Sequence, residues 1–245
     1  MDGVWEWFAW LNQEHGIKLT IFYDSWDRAR FFKGIWTTIH LSFVCIILSI
    51  LIGVAGAWLQ MSNLKWMRRI VQAYIQFFRN TPPLIQLYFF YFAVDTAIAS
   101  VFGIRGGVLS SYGWAVVSLS FFAGAFNVEI FRSGIEAVPR STIEAAEAMG
   151  FTRRQIYQYV TLPLAFRVCL PSLNNNLINL LKTTTVAYAI AVPETLYVAN
   201  QIWSDEYNVR EMMSVVWIVY IVLVGVLVWM MNKWERSIRV PGFGQ

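Results

Sequence analysis

Charged residues are scarce in this chain. Only 14% of its 245 residues are Asp, Glu, Lys or Arg, whereas 57% are hydrophobic. Soluble domains carry about a quarter charged residues. The composition therefore excludes an ordinary soluble protein and indicates a polytopic membrane protein. The formal net charge is +4. Because the basic residues cluster beside apolar stretches, they predict membrane topology rather than nucleic-acid binding.

Residues that carry catalysis or bind metals are also few. The two cysteines, Cys45 and Cys169, lie in apolar surroundings without a C-x-x-C spacing, so we interpret them as small hydrophobic residues. Of two histidines, His40 falls within the apolar region, where we expect a packed, hydrogen-bonded side chain. Neither a catalytic constellation nor a G-x-x-x-x-G-K-[ST] loop is present in the sequence. We therefore predict neither an enzyme, nor a metal site, nor a cofactor bound by this chain.

Apolar runs predict about five transmembrane helices, because about 20 apolar residues cross the hydrocarbon layer. Thr81 and Pro82 are typical of a helix start, so the second span is placed after this break in a longer apolar region. A short apolar segment, 186–192, precedes Pro193. The prediction is an all-α membrane protein with approximate spans at 41–59, from the break to 103, 112–131, 164–181 and 213–231.

Basic residues predict the orientation of these spans, because cytoplasmic loops carry the excess of Lys and Arg. The other side has only Arg105 in one loop and a mainly acidic group at 205–211. The amino terminus is therefore expected outside, without a cleaved signal peptide, and the carboxyl terminus in the cytoplasm. The basic residues that decide this are Lys65, Arg68, Arg69, Arg132, Arg140, Arg153, Arg154, Lys233, Arg236 and Arg239.

The first 31 residues are mixed in charge and rich in tryptophan. Trp5, Trp7, Trp10 and Trp26 all lie in this segment. Tryptophan is enriched at the boundary between membrane and water, and amphipathic elements lie in that plane. The sequence therefore predicts an interfacial segment on the outer side.

A polar insertion at 134–163 predicts a helix, a turn and a second helix. Ser141 with Glu144, and Thr152 with Gln155, each have the spacing of a capping box. Gly150 is expected to end the first helix, and Pro163 the second. Ala145, Ala146 and Ala148 would make the first helix thin. On these grounds alone, a docking site for another protein and a plain interfacial hairpin are equally good interpretations.

The order Glu144-Ala145-Ala146, then Gly150, then Leu162-Pro163 resembles the EAA loop of the integral-membrane permease subunits of ATP-binding-cassette (ABC) importers. The resemblance extends over roughly 31–240 and points to the branch that imports polar amino acids such as histidine, glutamine and glutamate. Two segments depart from that branch: Ser141-Thr142 replaces the usual Gly-Gln, and Asn127 stands where Tyr is common. The further similar segments are Gly34, Thr38, Leu41 and Ser42, then 78–87, 129–135, Val138-Pro139 and 179–185.

The resemblance implies the type I importer permease fold, located in a bacterial inner membrane. It divides the chain into an outer segment 1–31, a transmembrane domain 32–240 and a tail 241–245. It further implies an ATPase dimer that holds ATP and Mg²⁺, a second permease subunit (a copy or a homologue) and a solute-binding protein outside. The ATPase-coupling residues implied are Glu144, Ala145, Ala146, Gly150, Leu162 and Pro163.

Ionisable and polar residues at membrane depth are candidates for the translocation pathway. Arg79 precedes a predicted helix start, where free amide groups favour an anion such as a substrate carboxylate. Alternatively, Arg79 binds lipid phosphate or pairs with Glu129. For Lys182 the alternatives are a pathway residue and a structural ion pair. Asn175 and Asn179 are four positions apart and share one helix face. The candidates are Arg79, Thr81, Pro82, Glu129, Asn175, Asn179 and Lys182; Asp95 and Glu194 also lie near span boundaries.

Two non-enzymatic alternatives remain. An ATP-independent secondary transporter or channel would be expected to show an inverted repeat or a ring of intramembrane charges, and the sequence shows neither. A membrane scaffold would not need the glycine-centred turn at 150. The prediction from the sequence is therefore a permease subunit.

Overall fold

A computed structural model describes residues 2–238, except for the side chains of Asp2 and Val4. Every regular element in this range is helical. A 3₁₀ segment, Thr184–Ile190, and π-helical turns at Phe89–Val94 and Tyr157–Thr161 join or interrupt the α-helices. The helices are α1 Asp2–His15, α2 Thr20–Tyr23, α3 Ser25–Gln60, α4 Lys65–Asn80, α5 Pro83–Phe102, α6 Ser111–Glu136, α7 Arg140–Ala148, α8 Arg153–Ile156, α9 Leu162–Thr183, α10 Thr195–Glu206 and α11 Val209–Ile238.

Four helices within residues 2–238 are long and apolar enough to cross a membrane: α3, α5, α6 and α11. The fourth predicted span, 164–181, lies within α9, which contains Pro171. Four asparagines and Lys182 keep α9 out of this set, because they lower its hydropathy. That α9 also crosses the membrane stays a prediction.

The described chain forms two compact units. The first contains residues 2–44, 84–117 and 181–226, and the second contains 45–83, 118–180 and 227–238. Five helical segments supply residues to both units: α3, α4 with α5, α6, α9 and α11.

A buried carboxylate organises the first unit. Glu194 is fully buried and caps α10, accepting hydrogen bonds from the amides of Leu196 at 3.0 Å and Tyr197 at 2.8 Å. The hydroxyl of Tyr220 on α11 donates to the same carboxylate at 2.9 Å. The amide of Thr195 donates to Thr38 Oγ1 on α3 at 3.0 Å. These bonds tie α3, α10 and α11 together beside their shared apolar cluster.

Glycines bring α3 close to α6 in the second unit. A Cβ added at Gly53 would lie 2.4 Å from the Cβ of Asn127, and one at Gly56 would lie 2.4 Å from Val128. Gly53 and Gly56 therefore lie at a close helix–helix contact. Small residues permit such approaches between membrane helices.

A chain of amides crosses the same contact. Asn127 donates to Ser49 Oγ on α3 at 3.2 Å. Asn176 on α9 donates to Asn127 Oδ1 at 2.8 Å and to the carbonyl of Ala123 at 3.0 Å. The second unit thus has hydrogen bonds that join α3, α6 and α9 through side chains.

Several helices extend beyond the predicted limits of spans and segments. The helix of the first span begins at Ser25 rather than near residue 41, because Asp24 Oδ1 accepts the amides of Trp26 at 2.7 Å and Asp27 at 3.0 Å and so caps α3. The predicted limit between residues 31 and 32 therefore falls inside a helix. The predicted insertion at 134 also begins inside one, since α6 continues to Glu136. Arg239 and the predicted tail 241–245 lie outside the described residues.

The acidic loop expected at 205–211 is likewise wrong. Only Tyr207 and Asn208 separate α10 from α11. Asp205 pairs with Arg30 at 2.8 Å, and Glu211 pairs with Arg210 at 3.0 Å. The segment is therefore a tight helix–helix connection with largely balanced charge.

Replacing Gly53 by Ala should destabilise the protein, because the new methyl group overlaps Asn127. Overpacking of this kind costs about 1–3 kcal/mol. Thermal unfolding of the detergent-purified protein measures the effect. Gly225→Ala in α11 is the matched control, since a Cβ there meets nothing within 4 Å. Equal melting temperatures for the two variants would contradict the close approach of α3 and α6.

Replacing Glu194 by Gln should also lower the melting temperature. The amide nitrogen of Gln cannot accept from the donors that converge on this buried position, and an unmade buried hydrogen bond costs about 1–3 kcal/mol. Glu206→Gln, at the other and more exposed end of α10, should have little effect. A melting temperature unchanged by Glu194→Gln would exclude the organising role of this carboxylate.

Candidate functional site

The insertion between α6 and α9 forms the predicted helix, turn and helix. Gly150 ends α7 in the left-handed conformation, with φ +83°. Its amide donates to the carbonyl of Glu147 at 2.9 Å, and the amide of Phe151 donates to the carbonyl of Ala146 at 3.2 Å. This pair of bonds is a Schellman motif, in which glycine adopts positive φ without a Cβ penalty. We call residues 140–161 the hairpin.

One of the two predicted capping boxes forms. Thr152 and Gln155 cap α8 reciprocally: the amide of Thr152 donates to Gln155 Oε1 at 2.8 Å, and the amide of Gln155 donates to Thr152 Oγ1 at 3.4 Å. The box predicted at Ser141 and Glu144 is wrong. Because α7 already begins at Arg140, with Pro139 at the cap, Ser141 lies inside the helix and makes no cap bond.

The second hairpin helix does not end at Pro163. From α8 it continues through the π-helical turn Tyr157–Thr161 into α9. Pro163 lies in the first turn of α9, which directly follows the π-helical turn. The wider π-helical turn accommodates the missing amide of Pro163 and relieves the clash of its ring with the preceding turn of backbone. The hairpin is therefore continuous with a long helix of the bundle.

Most of the predicted coupling residues lie on the surface of the isolated chain. Glu144, Ala145, Gly150, Leu162 and Pro163 are exposed, whereas Ala146 is buried against its own chain. Ala146 thus supports the surface rather than forming it. Sequence reasoning missed three large exposed side chains on the hairpin: Met149, Phe151 and Tyr159. Met149 and Phe151 flank Gly150 in an otherwise polar segment, and this pattern could have identified them from the sequence.

Arg79 and Glu129 form an ion pair in the second unit, as one of the two alternatives predicted. The guanidinium carbon also lies 5.2 Å from the ring centroid of Phe126. Arg79 is in the last turn of α4, where a cation is favourable, and α5 begins at Pro83, one residue later than predicted. Thr81 and Pro82 form the break. Both charged side chains stay partly exposed, at 37% and 27%.

The polar face of α9 is divided between structural and exposed side chains. Asn174 is buried and donates to Glu235 at 3.0 Å, and Asn176 belongs to the amide chain. Asn175 and Asn179, the two pathway candidates, are exposed. Lys182 is also exposed, and among residues 2–238 no carboxylate pairs with it. Both interpretations of Lys182, a pathway role and a structural ion pair, stay predictions.

Other ionisable residues near the spans are structural. Asp95 accepts from Trp114 Nε1 at 2.6 Å and from the amide of Val108 at 2.7 Å, which fixes the connection to α6. His40 Nδ1 and Tyr112 Oη share a hydrogen bond of 2.5 Å, as expected, but His40 is exposed rather than packed. Within the described range, no group of three His, Cys, Asp or Glu side chains is arranged to hold a metal ion.

Three features together define an integral-membrane transport component. They are the membrane-length helices, the polar break between α4 and α5, and the exposed hairpin on the polar segment. The chain matches the family described as binding-protein-dependent transport system inner membrane component over residues 29–240. It belongs to this family and is a multi-pass inner-membrane protein. The EAA sequence of the hairpin belongs to the family.

Relatives and a solved structure agree with this membership. The chain is 28% identical to the probable glutamine ABC transporter permease protein GlnM of Bacillus subtilis, with 84% of this chain and 91% of the relative covered. It is 29% identical to the histidine/lysine/arginine/ornithine transport system permease protein HisM of Salmonella typhimurium, at 86% and 91% coverage. An amino acid ABC transporter crystallised with histidines matches with a TM-score of 0.76 and 28% identity, at 86% and 94% coverage. The fold is that of the type I ABC importer permeases.

Exchanging the charges of Arg79 and Glu129 tests the role of this pair. Each single reversal should lower stability by roughly 1 kcal/mol, as for partly exposed pairs, and the double exchange should restore most of it. Transport should remain impaired in the exchanged protein if the cation at position 79 serves the pathway. Thermal unfolding and solute uptake are measured together.

The pair Arg132 and Glu136, at 2.7 Å on the exposed side of α6, is the matched control. Its exchange should leave uptake unchanged. Full uptake by the Arg79 and Glu129 exchange variant would instead leave the pair a structural role only.

Proposed function

We propose that this chain is the permease subunit of an ABC importer and forms, with a second permease subunit, the path for a polar amino acid or an amino-acid derivative. Membership of the family over residues 29–240 supports this proposal. The identity to amino-acid permeases over most of both chains supports the solute class. A channel or secondary transporter working without ATP is not favoured by this membership.

The α-amino acid core is the recognised chemistry in this proposal. One relative is named for glutamine, which is neutral, and another for histidine, lysine, arginine and ornithine, most of which are cationic. Their shared groups are the α-carboxylate and α-ammonium. A pathway built on Arg79, Thr81, Pro82, Glu129, Asn175, Asn179 and Lys182 offers charges of both signs and amides for those groups.

The observation that carries the proposal is the exposed hairpin that continues into α9. The small side chain of Ala145 allows a partner to approach the α7 backbone closely, Glu144 offers a charge, and Met149 offers exposed apolar surface. A cleft of a cytoplasmic ATPase dimer would accept this surface. ATP and Mg²⁺ are held by that partner, and this chain hydrolyses no ATP.

Coupling then follows from mechanical continuity within the second unit. Closing of the ATPase dimer on nucleotide moves the hairpin, and α8 transmits the movement to α9. The amide chain from Asn176 through Asn127 carries it to α6 and α3. ATP binding thereby shifts the equilibrium between the inward-open and outward-open states. The size of this shift equals the difference between the binding free energies of ATP to the two states.

The remaining partner is a solute-binding protein on the outer side. With the amino terminus outside, the α10–α11 connection faces that side. Asp205 and Glu211 beside it are paired, but Tyr207 is 89% exposed. We expect the solute-binding protein to contact Tyr207 rather than free carboxylates.

Reversing the charge of Glu144 should uncouple transport from ATP hydrolysis. In proteoliposomes of the assembled transporter, Glu144→Lys should lose most solute-stimulated ATPase activity and uptake, while membrane insertion and melting temperature stay unchanged. Glu14→Lys, another exposed glutamate, is the matched control. Normal uptake and ATPase activity in Glu144→Lys would remove the coupling role of the hairpin.

Two substitutions at Gly150 separate backbone conformation from side-chain bulk. A Cβ at this position meets nothing within 4 Å, so positive φ is the constraint. Val should cost about 1–2 kcal/mol locally and reduce coupled uptake, whereas Asn, which tolerates this conformation, should retain most of it. Equal uptake by Gly150→Val and Gly150→Asn would show that the turn geometry does not matter for coupling.

A further inference from the structure

A long apolar groove lies in the first unit, apart from the hairpin. Its volume is about 720 Å³, which is within the range of ligand pockets. One wall is formed by Phe31, Phe32 and Ile35 of α3, and the other by Val215, Ile218 and Val219 of α11. Phe32 and Ile218 are more than half exposed, at 62% and 54%. The proposed solute path does not use this groove.

The polar end of the groove carries three charged side chains. Arg28 and Arg210 lie in the first turns of α3 and α11, and these two helix starts share one buried cluster that contains Phe31 and Met212. Glu211 completes the set and pairs with Arg210. Two guanidinium groups and one carboxylate leave one net positive charge at this end.

Arg28 is held in place and keeps donors available. Its guanidinium carbon lies 4.9 Å from the centroid of the Trp5 ring, and its Nη1 donates to the carbonyl of Phe22 at 3.4 Å. Five N–H donors in a planar fork suit a phosphate group, and one such contact leaves several free. The side chain of Arg210 is 81% exposed, so it is also accessible to a ligand.

Tryptophans place this end of the groove at the membrane surface. Trp5 lines the groove, and Trp7, Trp10 and Trp26 of the same amino-terminal region are exposed. Such residues gather at headgroup depth. Apolar walls that begin at the headgroup level and continue along two membrane helices match the two parts of a phospholipid.

We propose that this groove binds an anionic glycerophospholipid, with its phosphate between Arg28 and Arg210 and an acyl chain between α3 and α11. The single negative charge of such a lipid balances the net positive charge of the three side chains. The bound lipid would join the amino-terminal helix to the bundle through Trp5 and Arg28. This assignment holds whichever solute the protein carries.

A second copy of the chain fits the groove less well. A two-fold contact brings the same patch of each copy together, so the net positive ends would meet. A lipid phosphate neutralises the charge instead, and a flexible acyl chain fills a concave apolar surface.

Native mass spectrometry of the detergent-purified full chain, with the subunits that co-purify, tests the proposal. The probe is dioleoyl phosphatidylglycerol, with dioleoyl phosphatidylethanolamine as the zwitterionic comparison. The wild-type protein should retain phosphatidylglycerol preferentially. R28Q combined with R210Q should weaken its retention roughly tenfold, the factor expected for losing charge-assisted bonds to a phosphate. R105Q, an exposed arginine outside the groove, should leave retention unchanged.

A second variant pair tests the apolar wall without changing charge. Ile218→Trp should occlude the groove and lower retention, whereas Ile221→Trp, at a similarly exposed site of α11 outside the groove, should not. Equal retention by Ile218→Trp and Ile221→Trp, or by R28Q/R210Q and the wild type, overturns the proposal. Equal retention of the two lipids overturns the anionic assignment, and a dimer that excludes lipid from the groove assigns the surface to a second copy.

Discussion

Most buried polar side chains in the described part of this protein have hydrogen-bond partners within the chain, because neither lipid nor an apolar core supplies hydrogen bonds. The helices are consequently joined by a few polar contacts set among apolar packing. In the first unit, the carboxylate of Glu194 joins α10 and α11, and Thr38 and Thr195 join α3 to α10. In the second unit, Asn127 and Asn176 join α3, α6 and α9. The close approach at Gly53 positions Ser49 and Asn127 within reach of each other.

This constraint explains how a surface hairpin can act on membrane helices. The hairpin and α9 form a continuous helical path from Arg153 onward, and α9 is bonded to α6 through a side-chain amide. A flexible hinge in that path would absorb a displacement. The π-helical turn at Tyr157–Thr161 instead keeps the helix continuous up to Pro163, a residue that would otherwise interrupt its hydrogen bonds. The hairpin is therefore attached to the bundle by an unbroken helix, as the proposed coupling requires.

Sequence patterns predicted the helices well where a long apolar run or a glycine decides the outcome. The spans around 41–59, 112–131 and 213–231 all lie in helices, and Gly150 ends α7 as its left-handed preference predicts. Helix starts were less predictable, because a single side chain decides them. Asp24 extends α3 toward the amino terminus, and Glu194 starts α10, which the apolar pattern did not reveal.

Pairings between distant residues were the least accessible to sequence reasoning. Ser141 and Glu144 have the spacing of a capping box, but the preceding proline already starts the helix. Arg79 and Glu129 are 50 positions apart, and both alternatives for Arg79 agreed with the local pattern until the fold brought the pair together. Asn176 binding to Asn127 depends in the same way on the approach of two helices.

Cysteine cross-linking at Ala145 tests the central claim most directly, because both native cysteines are buried and this position is exposed on the hairpin. The account predicts that Ala145→Cys in the assembled transporter cross-links to the ATPase subunit, with an efficiency that changes when ATP is bound. A thiol at position 145 that reacts with a membrane-impermeant reagent from the outer side, and never cross-links to an ATPase, would contradict the account.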